Sequence, residues 1–158
     1  MYRQLASRPL VGMATGLLAL AGAWSAACVA ADPTLYERLG GEPVVRVVTA
    51  EVIDEAASRH DLGRSFQDTD LARIKRLFAE QVCALTGGGC VYSGDPMREV
   101  HAGHAISQAE FYGMVQLLRD ALGRHGVALR ERNELLALLA PMERDIVEPP
   151  KRRPAGAR

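Results

Sequence analysis

The sequence has no excess of charge of either sign. Its 19 lysines and arginines balance 19 aspartates and glutamates. No basic patch breaks the body of the chain, which argues against nucleic acid as a partner. There are no internal repeats, so a solenoid is excluded. Few β-branched residues alternate with polar ones, which removes the signature of a half-buried sheet. Cysteine is scarce as well, with three in 158 residues, an odd number for a chain in which every thiol is paired.

What is present begins with a leader. Met1 to Arg8 carries two arginines and no acid, and Pro9 to Ala31 carries no charge, with Leu10 to Trp24 as its apolar centre. Small residues (Val29-Ala30-Ala31) precede Asp32. This is the layout of a secretory signal peptide over residues 1–31. Two other readings stay open: an uncleaved membrane anchor, since the run is long enough to span a bilayer, and a lipoprotein signal acylated at Cys28. The second is weakened by Ser25, where such signals usually carry leucine. The expected location is therefore exported, either periplasmic or as a membrane-anchored lipoprotein. Two of the 19 basic residues and none of the 19 acidic ones precede residue 32, leaving 17 against 19. Either kind of processing also takes Cys28 out of the thiol pool. Cys83 and Cys90 remain, seven apart across the glycine-rich turn Thr86 to Gly89. In an oxidising compartment that spacing suits a local disulfide, the alternative being two free thiols, one buried as a small hydrophobe.

The 158-residue chain is 48% hydrophobic, enough to bury a core, and residues 32–147 are expected to form one domain. Apolar residues recur at helical spacing almost throughout, so the fold is expected to be all-α. A short helix opens at Asp32-Pro33-Thr34 and stops at Gly40-Gly41. The next starts at Glu42-Pro43 and runs to about Ser58, with Val45, Val48, Val52, Ile53 and Ala56 on one face. His60 to Phe66 is too broken for a long helix. Thr69 or Asp70 caps a third helix to about Leu85, whose stripe is Ile74, Leu77, Phe78, Gln81, Val82 and Leu85. Ser107-Gln108-Ala109-Glu110 is a capping box that starts a helix ending near His125-Gly126, with Phe111, Met114, Val115, Leu118 and Leu122 inward. A last helix is expected from about Leu129 to Ile146. Glu148 to Arg158 is Pro-rich and basic without apolar periodicity, and reads as a disordered tail.

The chain is organised around Val91 to Ser107. A Gly-Asp-Pro turn begins a short helix on which Met97 and His101 fall one turn apart, and small residues end it. One imidazole beside an apolar strip is what an iron in an apolar cleft needs. With Leu35-Tyr36-Glu37-Arg38-Leu39-Gly40-Gly41, Thr86-Gly87-Gly88, Tyr92-Ser93-Gly94, Met97-Arg98-Glu99-Val100-His101 and Ala105-Ile106-Ser107, taken in order, the sequence from about Thr34 to Val147 resembles a group I truncated haemoglobin. The resemblance implies a two-over-two helical sandwich around haem b. It places His101 at the proximal iron ligand and Met97 against the ring. The other histidines, His60, His104 and His125, keep solvent or structural readings. No CxxCH occurs, so covalent attachment of the c type is not indicated. Arg98, Tyr92 or Lys75 would meet the propionates, against plain solvation.

The departure from the family lies on the other side of the ring. Ile53 stands where these proteins usually have a tyrosine that hydrogen-bonds oxygen, Phe78 where many have glutamine, and Ile74 and Leu77 complete an oily wall. Gln81 is the one polar residue on this stripe, placed either near the ligand or at the pocket edge. The implied function is reversible binding of a diatomic gas (oxygen, nitric oxide or carbon monoxide) through His101-ligated iron. Nitric oxide dioxygenation, known in the family, is disfavoured by the apolar distal side, and any electron donor would be a reductase of unknown identity. The reading from a different class is a haem-free, globin-shaped scaffold or surface lipoprotein.

Overall fold

The structure is a computed structural model and describes residues 31–148. All of the expected leader but Ala31, and most of the expected tail, residues 149–158, lie outside the described residues. Within them the chain is all-helical, with no strand.

Local chemistry explains each boundary. The first helix, α1 (Leu35–Arg38), is opened by Thr34, whose hydroxyl accepts from the Glu37 amide while the Glu37 carboxylate returns the bond. Gly40 and Gly41 then take positive φ of 101° and 65°, a turn that residues with a Cβ avoid, and α2 (Gly41–Ser58) begins at once. Its face Val45, Val48, Val52, Ile53 and Ala56 is buried as the periodicity predicts. The broken stretch after it is a 3-10 turn, Gly63–Phe66. Asp70 rather than Thr69 caps α3 (Leu71–Leu85), accepting from the Arg73 amide at 3.0 Å. The short α4 (Met97–His101) comes next, then α5 (Gln108–Arg124), whose Ser107–Glu110 capping box is present in full.

The last predicted helix is two. α6 (Leu129–Leu139) gives way to a 3-10 turn, Ala140–Met142, before α7 (Glu143–Ile146). The cause is Pro141, which lacks an N–H and crowds the carbonyl four residues back. Leucine periodicity continues across the break, which is why the pattern reads as one helix.

α2 packs against both α3 and α5, and α5 against α6, giving a two-over-two arrangement. Leu39, Val48, Val52, Val82, Leu122 and Leu135 form the centre of one core. Burying a side chain of that kind contributes about 1.5–3 kcal/mol. The α3 stripe behaves differently: Val82 is buried in the core, whereas Ile74, Leu77, Phe78 and Gln81 are only half-buried. They face a cavity.

Cys83 and Cys90 are joined by a disulfide, with Cα atoms 5.7 Å apart. The loop they close leads straight to Tyr92, and it is pinned a second time by Glu80, whose carboxylate accepts from the Ser93 amide at 3.2 Å and hydroxyl at 2.6 Å.

Candidate functional site

The cavity has a volume of about 590 Å³, in the range that takes a cofactor-sized ligand. α2 and α3 supply Ile53, Ile74, Leu77, Phe78 and Gln81; α4 supplies Met97, Val100 and His101. α5 adds Phe111, Met114, Val115 and Leu118, and the C-terminal segment adds Leu139, Met142 and Ile146. The walls are predominantly hydrocarbon, thioether and aromatic. Of the site residues expected from sequence, all but Arg98 and Lys75 reach this space.

His101, half-buried, is the histidine of α4 that lines the cavity. Its Nδ1 lies 2.8 Å from the Met97 carbonyl oxygen. Burial, more than the nearby His104 charge, lowers the imidazole pKa from its ordinary 6.5, while the Met97 carbonyl pulls the other way. His104 also borders the cavity but is exposed. His60 is exposed at the end of α2, and His125 caps α5, its Nε2 2.7 Å from Glu51.

Gln81 does not stand free on its stripe. Its amide nitrogen lies 3.4 Å from the Met97 sulfur and 3.6 Å from that of Met142. Tyr92 is half-buried at the mouth and donates to the Asp95 carbonyl at 3.2 Å. Burial and Asp95 raise its pKa, and Arg73 opposes them. The two cations expected at the rim are engaged elsewhere. Arg98, largely exposed, pairs with Asp145 of α7, and Lys75 lies 2.6 Å from Asp54 of α2. Arg73 borders the cavity instead. It sits one helical turn before Leu77, as Lys75 does before Phe78, so the register of α3 alone does not separate the two. Ser65 also lines the space, its hydroxyl buried with no hydrogen-bond partner among the described residues. No sequence signal marked it, because a 3-10 turn has no long periodicity to read.

Haem held without covalent attachment needs one axial donor, apolar walls on both ring faces and polar groups at the edge. An imidazole with one nitrogen engaged, hydrocarbon on every side, and Arg73 with Tyr92 at the mouth fit that requirement. A two-over-two helical sandwich with such a pocket defines the truncated globins.

The comparisons with known proteins agree. The family described as Bacterial-like globin matches residues 34–148. A group 1 truncated haemoglobin of Mycolicibacterium paratuberculosis is 32% identical over 117 residues, covering 73% of this chain and 86% of that one. One of Nostoc sp. is 27% identical over 110 residues, covering 70% and 93%. Among solved structures, the Fe(III) form of truncated haemoglobin from Tetrahymena pyriformis superimposes with a TM-score of 0.70 at 23% identity, covering 74% of this chain and all of that one (100%). The 2/2 haemoglobin of Synechococcus sp. PCC 7002, with covalently attached haem, gives 0.68 at 21% identity, covering 73% and 98%. The chain belongs to the bacterial-like globin family, whose members bind haem iron.

Proposed function

We propose that this chain binds a diatomic gas at a haem held by His101, and that it works in an exported location. The observation that carries the reading is the bond from His101 Nδ1 to the Met97 carbonyl. A carbonyl only accepts, so Nδ1 bears the proton, and Nε2 of the neutral ring keeps its lone pair for a metal. Met97 and Val100, on the same short helix, supply apolar contact beside it. Haem, when bound there, would supply an iron able to take up a gaseous ligand.

The residues of α2 and α3 then set the preference. Ile53, Ile74, Leu77 and Phe78 present no donor, and the Gln81 amide is occupied by two thioethers. A dipolar ligand such as oxygen loses a hydrogen bond contributing about 1.5–3 kcal/mol, whereas carbon monoxide, less dipolar, loses little. Ligand binding, sensing or electron transfer suits such a wall better than nitric oxide dioxygenation. Arg73 and Tyr92 are the groups placed to meet propionates. The leader-like residues 1–31 and the Cys83–Cys90 disulfide support an oxidising, exported location.

Absorbance of purified protein tests the reading. Haem-loaded wild type is expected to show an intense Soret band that His101→Ala largely loses and that His104→Ala, His60→Ala and His125→Ala retain. A folded chain that stays colourless after haem addition would overturn it in favour of a haem-free scaffold.

A further inference from the structure

α4 is too short to hold itself. It has five residues, and Pro96 at its N-cap makes no side-chain capping bond. Isolated helices below about 12–15 residues are marginal in water, so the attitude of His101 must be set by its neighbours in the fold. The nearest is the loop from Ala102 to Ser107, with Gly103 at φ 82° and Ala105 at φ 51°. An alanine in the left-handed region is strained by about 1–2 kcal/mol and persists only where its surroundings over-determine it.

The loop is gripped from two sides by opposite charges. From the 3-10 turn after α2, Arg64 donates through Nη1 to the His104 carbonyl at 2.6 Å and through Nη2 to the Ala105 carbonyl at 2.8 Å. The Glu110 carboxylate, 2.8 Å away, holds the guanidinium in place. From the far end of the domain, Glu148 accepts from the amides of Gly103 at 2.7 Å and Ala105 at 3.1 Å. Its own amide donates to the Ile106 carbonyl at 2.9 Å. The cation takes carbonyls and the carboxylate takes amides, so both backbone groups of Ala105 are held by charge-assisted bonds, which are shorter and stronger than neutral ones. Among the described residues two side-chain ties reach α4 itself, and both are weak: the Arg98–Asp145 pair is 72% exposed on the arginine, where ion pairs contribute little, and the Gln81 amide meets the Met97 sulfur, a weak acceptor.

We propose that Arg64 and Glu148 are positioning residues for His101. They form a two-sided clamp on the loop behind it and so set how the imidazole is presented to the cavity. The proposal rests on His101 being the axial ligand. It makes a link between the α2–α3 connection and the proximal helix that neither element's own sequence pattern shows.

The test uses the full chain loaded with haem, reduced, and read in two ways: the iron–imidazole stretching band in resonance Raman, and the rate of haem loss to an excess of a scavenging apoprotein. Arg64→Met and Glu148→Ala are each expected to shift or broaden the band and to raise haem loss about 10- to 100-fold, the scale of one charged hydrogen bond. Arg64→Lys, which keeps the charge but not the fork, and Glu148→Gln, which keeps one acceptor, are expected to lie between these and wild type. Arg59→Met removes a guanidinium from the same connection, paired among the described residues with Asp61, and leaves both readings as in wild type. An unmoved band with wild-type haem loss in all four clamp variants overturns the clamp alone. A wild-type band surviving in His101→Gly overturns the ligand assignment, and the clamp falls with it.

Discussion

Ile53 is 3% exposed and faces the cavity, so a hydroxyl placed there has somewhere to point. Ile53→Tyr is expected to slow oxygen release about 10- to 100-fold, the scale of one hydrogen bond to a polarised ligand, and to leave carbon monoxide release nearly unchanged. Stopped-flow ligand replacement measures both. Gln81→Ala is expected to change little, because its amide faces the sulfurs of Met97 and Met142. Ser65→Ala completes the set. Slow oxygen release in wild type that quickens tenfold or more in Gln81→Ala or Ser65→Ala would mean that the wall is not dry. The helical register made most of these residues readable: Met97 with His101, and Ile74 with Leu77, Phe78 and Gln81. It did not reveal where Arg98 goes, since Asp145 captures it from a helix 47 residues away.

At the scale of elements, the disulfide and the caps make separate predictions. Cys83–Cys90 ties the end of α3 to the loop before Tyr92, and closing so short a loop stabilises by about 2–3 kcal/mol in the chain-entropy model. Cys90→Ser is expected to lose that much in chemical unfolding under non-reducing conditions. Two free thiols in freshly exported protein, counted by mass spectrometry, would refute the bridge. Ser107→Ala removes the hydroxyl that accepts from the Glu110 amide at 3.2 Å and is expected to cost about 0.5–2 kcal/mol. Glu110 adds a pH signature. Burial raises its pKa, but bonds from Ser107 and Arg64 outweigh that, so the net shift is downward from 4.5. A carboxylate with a lowered folded-state value stabilises above its unfolded value and stops doing so as pH falls through the folded one. Acid unfolding of Glu110→Gln, monitored by circular dichroism, is therefore expected to be less steep below about pH 4.5 than that of wild type, the unfolded value being the ordinary one. An unchanged slope would show that these bonds do not couple to folding.

For the whole molecule, haem acts as a folding ligand. A ligand present at 1,000 times its dissociation constant stabilises by about 4 kcal/mol, so thermal unfolding of the loaded chain is expected well above that of the haem-free one, with His101→Ala losing most of the difference. The export proposal has its own test: cleavage of the leader gives a mature mass beginning at Asp32, whereas acylation adds lipid mass at Cys28. No helix among the described residues is long and apolar enough to cross a membrane.

By itself the sequence determined the all-α class, the starts of α1 to α6 to within a residue and the buried face of α2, because capping residues and a 3.6-residue period act within a few turns. It also made a Cys83–Cys90 bridge the favoured reading over two free thiols, which the structure bears out, and carried the apolar character of the wall around Ile53 and Phe78. Tertiary structure decided what depends on distant segments meeting. Arg73, not Arg98 or Lys75, borders the cavity, because Asp145 and Asp54 claim the other two cations. The α4–α5 loop owes its shape to Arg64 and Glu148, 40 to 45 residues away on either side. Hydrogen bonds and ion pairs of that reach leave no periodic trace in a chain, since nothing local requires them until the helices have packed.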